Sequence, residues 1–258
     1  MLKKLFFRFI DTCGYSLISK ARYDGLREAA YYKPKDDAFH EHLRRVLQKY
    51  QVNTVLDVGA SGGEYAESLR NDVGYEGWIH SFEPLPHRQT TLESKVAKDP
   101  RWVLHKYALG AQAGEAEFNI TSSDVFSSFL EPDPSQPSKY ADSNLIVDKV
   151  KVRIRTVAEM LPEILATSGP GPVYLKMDTQ GFDLQVFQGA KGVLNQIAGL
   201  QSELALKTIY SQAPDWKVMM GEIEKAGYVP SFLLPISIGE DLTIVEVDGV
   251  FVRPPKKA

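Results

Sequence analysis

The residues best able to do chemistry cluster in one short stretch, "VLDVGASGGEYAESL" (55–69). An apolar run ends in Asp57, a loop carries Gly59, Gly62 and Gly63, and a helical pattern starts at Glu64. A strand, a glycine bend and a helix start make a cradle for a nucleotide-like ligand. The first helical turn offers free N–H groups and a positive dipole end, and glycine lets the backbone approach closely. A phosphate-binding P-loop needs Lys and Ser/Thr after its last glycine, whereas Glu64 stands here and would repel phosphate. Gly59-Ala60-Ser61-Gly62-Gly63 is also a poor match to the dinucleotide spacing G-x-G-x-x-G. Acidic residues suit a cation. S-adenosylmethionine carries a sulfonium and an ammonium and no phosphate, and Asp57 and Glu64 favour those charges. Glu83 closes the next apolar run, "WIHSFEP" (78–84). It stands roughly 20 residues past the glycines, where an acid holds ribose hydroxyls in nucleotide folds. The alternative is that Asp57 and Glu83 are solvated strand ends.

Such a cradle needs a sheet beneath it. Helical spacing over 36–50 is followed by a strand at 54–59, a helix at 64–72, a strand at 78–84, a helix at 86–98 and a strand at 101–109. That alternation predicts an α/β fold with a parallel sheet covered on both faces. Further strands are expected at 115–120, 151–157, 173–178, 199–204, 228–234 and 243–253, with helices at 181–197 and 216–227. The Ser-, Pro- and Asp-rich segment 121–144 reads as a long polar loop, a functional or a disordered one. No repeat or linker splits the chain, so the expected division is an N-terminal helical extension (1–50) and one domain (51–254).

Bulk properties narrow the classes. The net charge is −3, without the basic excess typical of a nucleic-acid binder. Cys13 is the lone cysteine, so no internal disulfide or cysteine-based zinc site can form, which fits the reducing cytoplasm. The five histidines show no HExxH spacing, and no metal is expected. At the N-terminus, Arg8 and Asp11 interrupt the apolar run of "MLKKLFFRFIDTCGY", so it makes no signal peptide. It reads as a helix packed on the domain or, alternatively, as a basic amphipathic helix touching a membrane surface. A homo-oligomer is compatible with all of this.

Taken in order, "VLDVGASGG", "SFEP", "YALG", "YLKMDTQGFDLQVFQGA" and "GVFVR" resemble the FkbM-type methyltransferases, over about residues 52 to 253. The resemblance implies a class I, Rossmann-like seven-stranded sheet with its last strand antiparallel, S-adenosylmethionine as cofactor, and hydroxyl groups of sugars or related metabolites as acceptors. It places Asp57, Gly59 and Gly63 by the methionine part, Glu83 by the ribose, and Tyr107, Ala108 and Leu109 by the adenine. Ala60, Ser61 and Pro84 complete the expected cofactor-binding set. Asp178 would face the reacting centre. The family often has Asn at Ser61 and Glu at Gln180; the second departure puts an acid, base or metal-ligand role there in doubt.

Methyl transfer from a sulfonium chiefly needs alignment, and a hydroxyl acceptor gains from a base. Asp178 is the first candidate, since a carboxylate in a dry cleft can have its pKa raised; equally, it could only orient the cofactor. "VYLKMD" puts Tyr174, Lys176 and Asp178 on one strand face. A buried lysine needs a partner, and Glu203 is the expected one, either as acceptor floor or as a sheet-fixing ion pair. The catalytic candidates are therefore Asp178 and Glu203. Phe126 and Phe129 would make the 121–144 segment a lid or acceptor wall, while His80 reads as packed. The expected partner is a small-molecule or glycan acceptor and no nucleic acid. Rival readings are an RNA or N-methyltransferase, an NAD-dependent oxidoreductase, and a non-catalytic partner protein that keeps the fold.

Overall fold

The computed structural model describes residues 36–254. The chain divides into two compact units, residues 1–39 and 40–258. Of the first, only the opening residues of helix α1 (36–49) are described. The expected N-terminal helix and its membrane contact lie outside the described residues. Among the described residues, no helix is long and apolar enough to cross a membrane.

The second unit is built on β1 (Thr54–Val58), β2 (Trp78–Phe82), β3 (Trp102–His105), β7 (Val173–Met177), β8 (Ile197–Ala205), β9 (Val229–Ile238) and β10 (Ile244–Val252). They form one sheet in the order β3-β2-β1-β7-β8-β10-β9. The pairs from β3 to β8 are parallel, and β10 runs antiparallel to both neighbours. This is the expected Rossmann-like, mostly parallel seven-stranded sheet. Helices α2 (Glu64–Ser68), α3 (Pro86–Val96), α4 (Val157–Ser168), α5 (Asp183–Gly189) and α6 (Trp216–Lys225) connect the strands.

The central strands β1 and β7 are buried at every position, as strands covered on both faces must be. Their runs carry one charged residue each, Asp57 and Lys176, and the register sets these directly opposite one another. That corrects the expected Lys176–Glu203 pair. Lys176 faces Gln201 on β8, and Glu203 stands two residues further along, opposite Asp248 of β10.

Other local readings also change. The expected strand 101–109 ends at His105, and Ala108–Leu109 form β4 of a second sheet with β5 (Gly114–Thr121) and β6 (Ile146–Arg155). Helix α4 was not expected, because Pro162 interrupts its pattern. Its signals are nonetheless present: a capping box between Thr156 and Glu159, and buried Val157, Met160, Leu161 and Ile164. The expected helix 181–197 stops at Gly189, where a Cβ would lie 2.1 Å from the Gly110 carbonyl oxygen, and a 3-10 stretch follows. The main core joins Leu56, Leu175, Leu200 and Phe251 of the sheet to Leu161, Phe187 and Ile223 of the helices. Each such side chain contributes about 1.5–3 kcal/mol by leaving water.

The 121–144 segment is anchored rather than free. It bridges to β5 at Asn119–Ser128 and to the chain after β8 at Pro132–Tyr210. Ser128 Oγ donates to the Gln180 carbonyl at 2.7 Å, and Tyr140 OH donates to Glu246 at 2.6 Å.

Candidate active site

A cavity of about 450 Å³ opens at the C-terminal ends of β1, β2 and β7, within the ~300–1,000 Å³ typical of ligand sites. Gly59, Ser61, Glu83, Pro84, Ala108, Leu109 and Asp178 line it. Asp57, Ala60, Gly63 and Tyr107, also expected at the cofactor, are not among its lining residues. Asp57 is fully buried: Ser81 Oγ donates to it at 2.8 Å, and Lys176 Nζ lies 3.1 Å away. Gly59 is a junction between strands, since at φ +78° a Cβ would lie 1.9 Å from the Asp178 carbonyl oxygen. Gly63, at φ +92°, leaves room for Leu92 and Trp102.

Glu83 does face the cavity. It is nearly buried and accepts from the Ser61 and Leu85 backbone N–H groups, each at 2.9 Å. Burial raises its carboxyl to about 7 despite those two bonds and the Arg88 charge. Leu85, Phe118, Phe129 and Phe182 add apolar wall. Arg88 and Asp124 line the rim, joined at 3.2 Å, and Arg88 also donates to Ser61 Oγ at 2.5 Å. Sequence reasoning missed both, since nothing in the spacing of 88 and 124 says they meet. Phe129, expected on an acceptor wall, lines this cavity.

Lys176 holds the strand tips together. Its ammonium donates to the Gly59 carbonyl at 3.0 Å and lies 3.5 Å from Asp178. Burial works against that charge, but Asp57 and Asp178 outweigh it and raise the lysine's pKa. Asp178 departs from its expected shift. Burial pushes it up, yet the Lys176 charge and hydrogen bonds from Glu203 and Gln180 bring it below the usual carboxylate range. The raised group is Glu203, pushed well up by burial and then by Asp178 and Glu246. Of the two, Glu203 is the carboxyl whose surroundings favour holding a proton and Asp178 the one whose surroundings favour charge.

Glu203 and Glu246 line a second, smaller cavity of about 180 Å³, with Tyr210 and Trp216. Gln180 lines both cavities. Its Nε2 donates to Asp178 at 3.1 Å and to Glu203 at 3.0 Å, while its Oε1 accepts from Tyr210 OH at 2.8 Å. Its φ of +54° is rare for a side chain with a Cβ. His80 is packed, as expected, with Nδ1 2.9 Å from His105 Nε2. Among the described residues, no group of three or more His, Cys, Asp or Glu is arranged to hold a metal ion.

A sequence profile described as the methyltransferase FkbM domain matches residues 57–230, more than half of the 258-residue chain. This chain belongs to the FkbM methyltransferase family. Similar solved structures include an FkbM methyltransferase from Methylobacillus flagellatus KT, at 14% identity and TM-score 0.45, over 77% of this chain and 43% of that one. Fibrillarin from Aeropyrum pernix, with natively bound S-adenosyl-L-methionine, aligns at 11% identity and TM-score 0.40, over 78% and 66%. An S-adenosylmethionine-dependent methyltransferase from Aquifex aeolicus aligns at 14% and 0.37, over 81% and 87%. The chain spans less than half the length of the Methylobacillus protein. No curated protein matches it in sequence.

The family match makes S-adenosylmethionine the cofactor to test against this cavity. Its residues fit that group. Glu83 keeps a lone pair on each oxygen for ribose hydroxyls, and apolar side chains and the Asp178 carboxylate, held low by Lys176, line the same cavity. The rim arginine is already paired with Asp124, so no free cation invites a phosphate.

Proposed function

We propose that this methyltransferase acts on a hydroxyl group of a sugar, a glycan or another small metabolite, with Asp178 as the proton acceptor. The supporting observation is the Asp178–Gln180–Glu203 cluster between the two cavities, with an ionised carboxylate on the cofactor side. When bound, S-adenosylmethionine would supply the methyl, its C–S bonding pair returning to sulfur to leave a neutral thioether as the acceptor oxygen gains the C–O bond. That oxygen becomes strongly acidic only as the bond forms, so a weak base held in place suffices. Asp178 takes the proton, while Lys176 and Glu203 keep the carboxylate oriented beforehand. Glu203 supports that base through the shared Gln180 amide, in place of the ion pair with Lys176 that was one of its two expected roles.

A small acceptor is also supported by the surface. Three of the four basic residues alternating along β6 are paired with carboxylates, Lys149 with Glu131, Lys151 with Glu115 and Arg155 with Glu163, which leaves Arg153 outside these ion pairs. Nucleic-acid binding calls for unpaired Lys and Arg that can replace phosphate counterions. The single cysteine supports a cytoplasmic setting.

The experiment is Asp178→Asn, with cofactor binding followed by calorimetry and turnover by release of S-adenosylhomocysteine. Turnover is expected to fall by about 10²–10⁴-fold, the usual worth of a positioned base. Affinity for S-adenosylhomocysteine, which carries no sulfonium, is expected to stay within about threefold, a change of under ~1 kcal/mol. Unchanged turnover removes Asp178 from the base role.

A further inference from the structure

The two cavities meet at one side chain. Asp178 lines only the larger, Glu203 and Glu246 only the smaller, and Gln180 both. The Gln180 amide therefore stands between the larger cavity and a second pocket of about 180 Å³. Its three hydrogen bonds are those of a polar group filling a polar position. The nitrogen donates to an ionised carboxylate and to the second carboxyl of the pair, and the oxygen accepts from Tyr210. A hydroxyl can take the amide's place between the two carboxyls, its O–H donating to Asp178 as the amide N–H does. The residue also holds a left-handed backbone conformation; such strain persists where surrounding contacts impose it, and gathers at sites that switch. Ser128 Oγ fixes the Gln180 carbonyl at 2.7 Å, so the backbone is pinned while the side chain depends on Tyr210 and the carboxyls.

We propose that the Gln180 side chain is a displaceable stopper between the cavities, and that a ring-borne acceptor hydroxyl entering from the smaller cavity takes over its contacts with Asp178 and Glu203. The inference rests on the hydroxyl-methyltransferase reading above. Trp216 gives the smaller cavity an aromatic face and Glu246 a carboxylate, the combination that grips a sugar ring through its C–H face and its hydroxyls. Gln180 is then a positioning and specificity-determining residue. It keeps the carboxyl pair bridged when no acceptor is present and sets a threshold that only a polar, hydrogen-bonding group can cross. Tyr210 holds it shut.

The test uses the full chain saturated with S-adenosylhomocysteine and two probes, glycerol and methyl α-D-glucopyranoside, titrated to about 1 M, a range that reaches the weakest specific binding. The side-chain amide signal of Gln180 in nitrogen–proton NMR is assigned by its loss in Gln180→Ala. The expected result is a saturable movement of that signal with at least one probe. Tyr210→Phe, which frees the amide oxygen, is expected to tighten the probe's apparent Kd about fivefold, the factor for one net hydrogen bond of ~1 kcal/mol. A merely structural hydrogen bond, when removed, would weaken binding or leave it alone, so the sign decides. A signal unmoved by both probes overturns the proposal, and so does a Kd that rises or stays put in Tyr210→Phe. Loss of S-adenosylhomocysteine binding by the unmutated chain would instead sink the methyltransferase reading beneath it.

Discussion

Replacing Lys176 by Met tests the centre of the fold and of the site together. Methionine fills the stem's volume but removes a charge that is 3.1 Å from Asp57 and 3.5 Å from Asp178. At an effective dielectric of about 20, each of these attractions is worth about 5 kcal/mol before desolvation is subtracted. Asp57 is fully buried, and without the ammonium it keeps only Ser81 Oγ among its named partners. Breaking a buried pair from one side costs about 3–5 kcal/mol, because a charge is left without its counterpart. For a chain of this size that lowers Tm by roughly 6–20 °C. Adding Asp57→Asn removes the stranded charge and is expected to recover more than half of the loss. Thermal unfolding followed by circular dichroism at pH 7 reads both. A Tm within roughly 2 °C of the unmutated protein, the size of a surface substitution, refutes the reasoning. A double variant no more stable than the single one does the same.

Gly59→Ala would push a methyl into the Asp178 carbonyl, 1.9 Å from its built position, at φ +78°. It is expected to cut turnover at least tenfold and to lower stability by about 2 kcal/mol or more from the left-handed strain and overlap, read by turnover and urea titration. Glu83→Gln keeps the shape but replaces one backbone-accepting oxygen with a donor, and should weaken S-adenosylhomocysteine about tenfold or more by calorimetry. Burial brings His80 down to about 3 and His105 to about 4. Their unfolded forms bind protons below about 6.5, so their contribution is complete above that pH and is lost as pH falls toward 4. Glu83 and Asp248, raised to about 7, act in the opposite sense, so the histidines are best read directly; imidazole NMR titration placing either above 6 would be the contrary result.

The sheet was legible because its signals are local. Runs such as TVLDV and VYLKM, bounded by glycine and acidic residues, identify buried parallel strands without knowledge of their neighbours. Glu83 at the tip of β2 follows from the same rule. The pairing of Lys176 was not legible, because it depends on register: one strand places it across from Asp57, while Glu203 sits one pleat further on. The relative acidities of Asp178 and Glu203 were hidden for the same reason, since a carboxyl's acidity depends on which charges the fold brings close. Tyr210 and Asp124 sit in segments whose own sequence carries no periodic signal, and Arg88, though on the expected helix at 86–98, meets Asp124 only through the anchored 121–144 segment. Helix α4 was legible in its capping box but was obscured by Pro162.

That anchored segment has a consequence for how such an enzyme could change. Phe129 and Asp124 from it line the larger cavity, proposed above to hold the cofactor, while its Tyr140 donates to Glu246 in the lining of the smaller one. One partition thus serves two rooms. A substitution in it that reshapes what the enzyme accepts also disturbs the chamber holding the methyl donor, so new acceptor preferences should emerge together with altered donor affinity, while the strands below stay untouched.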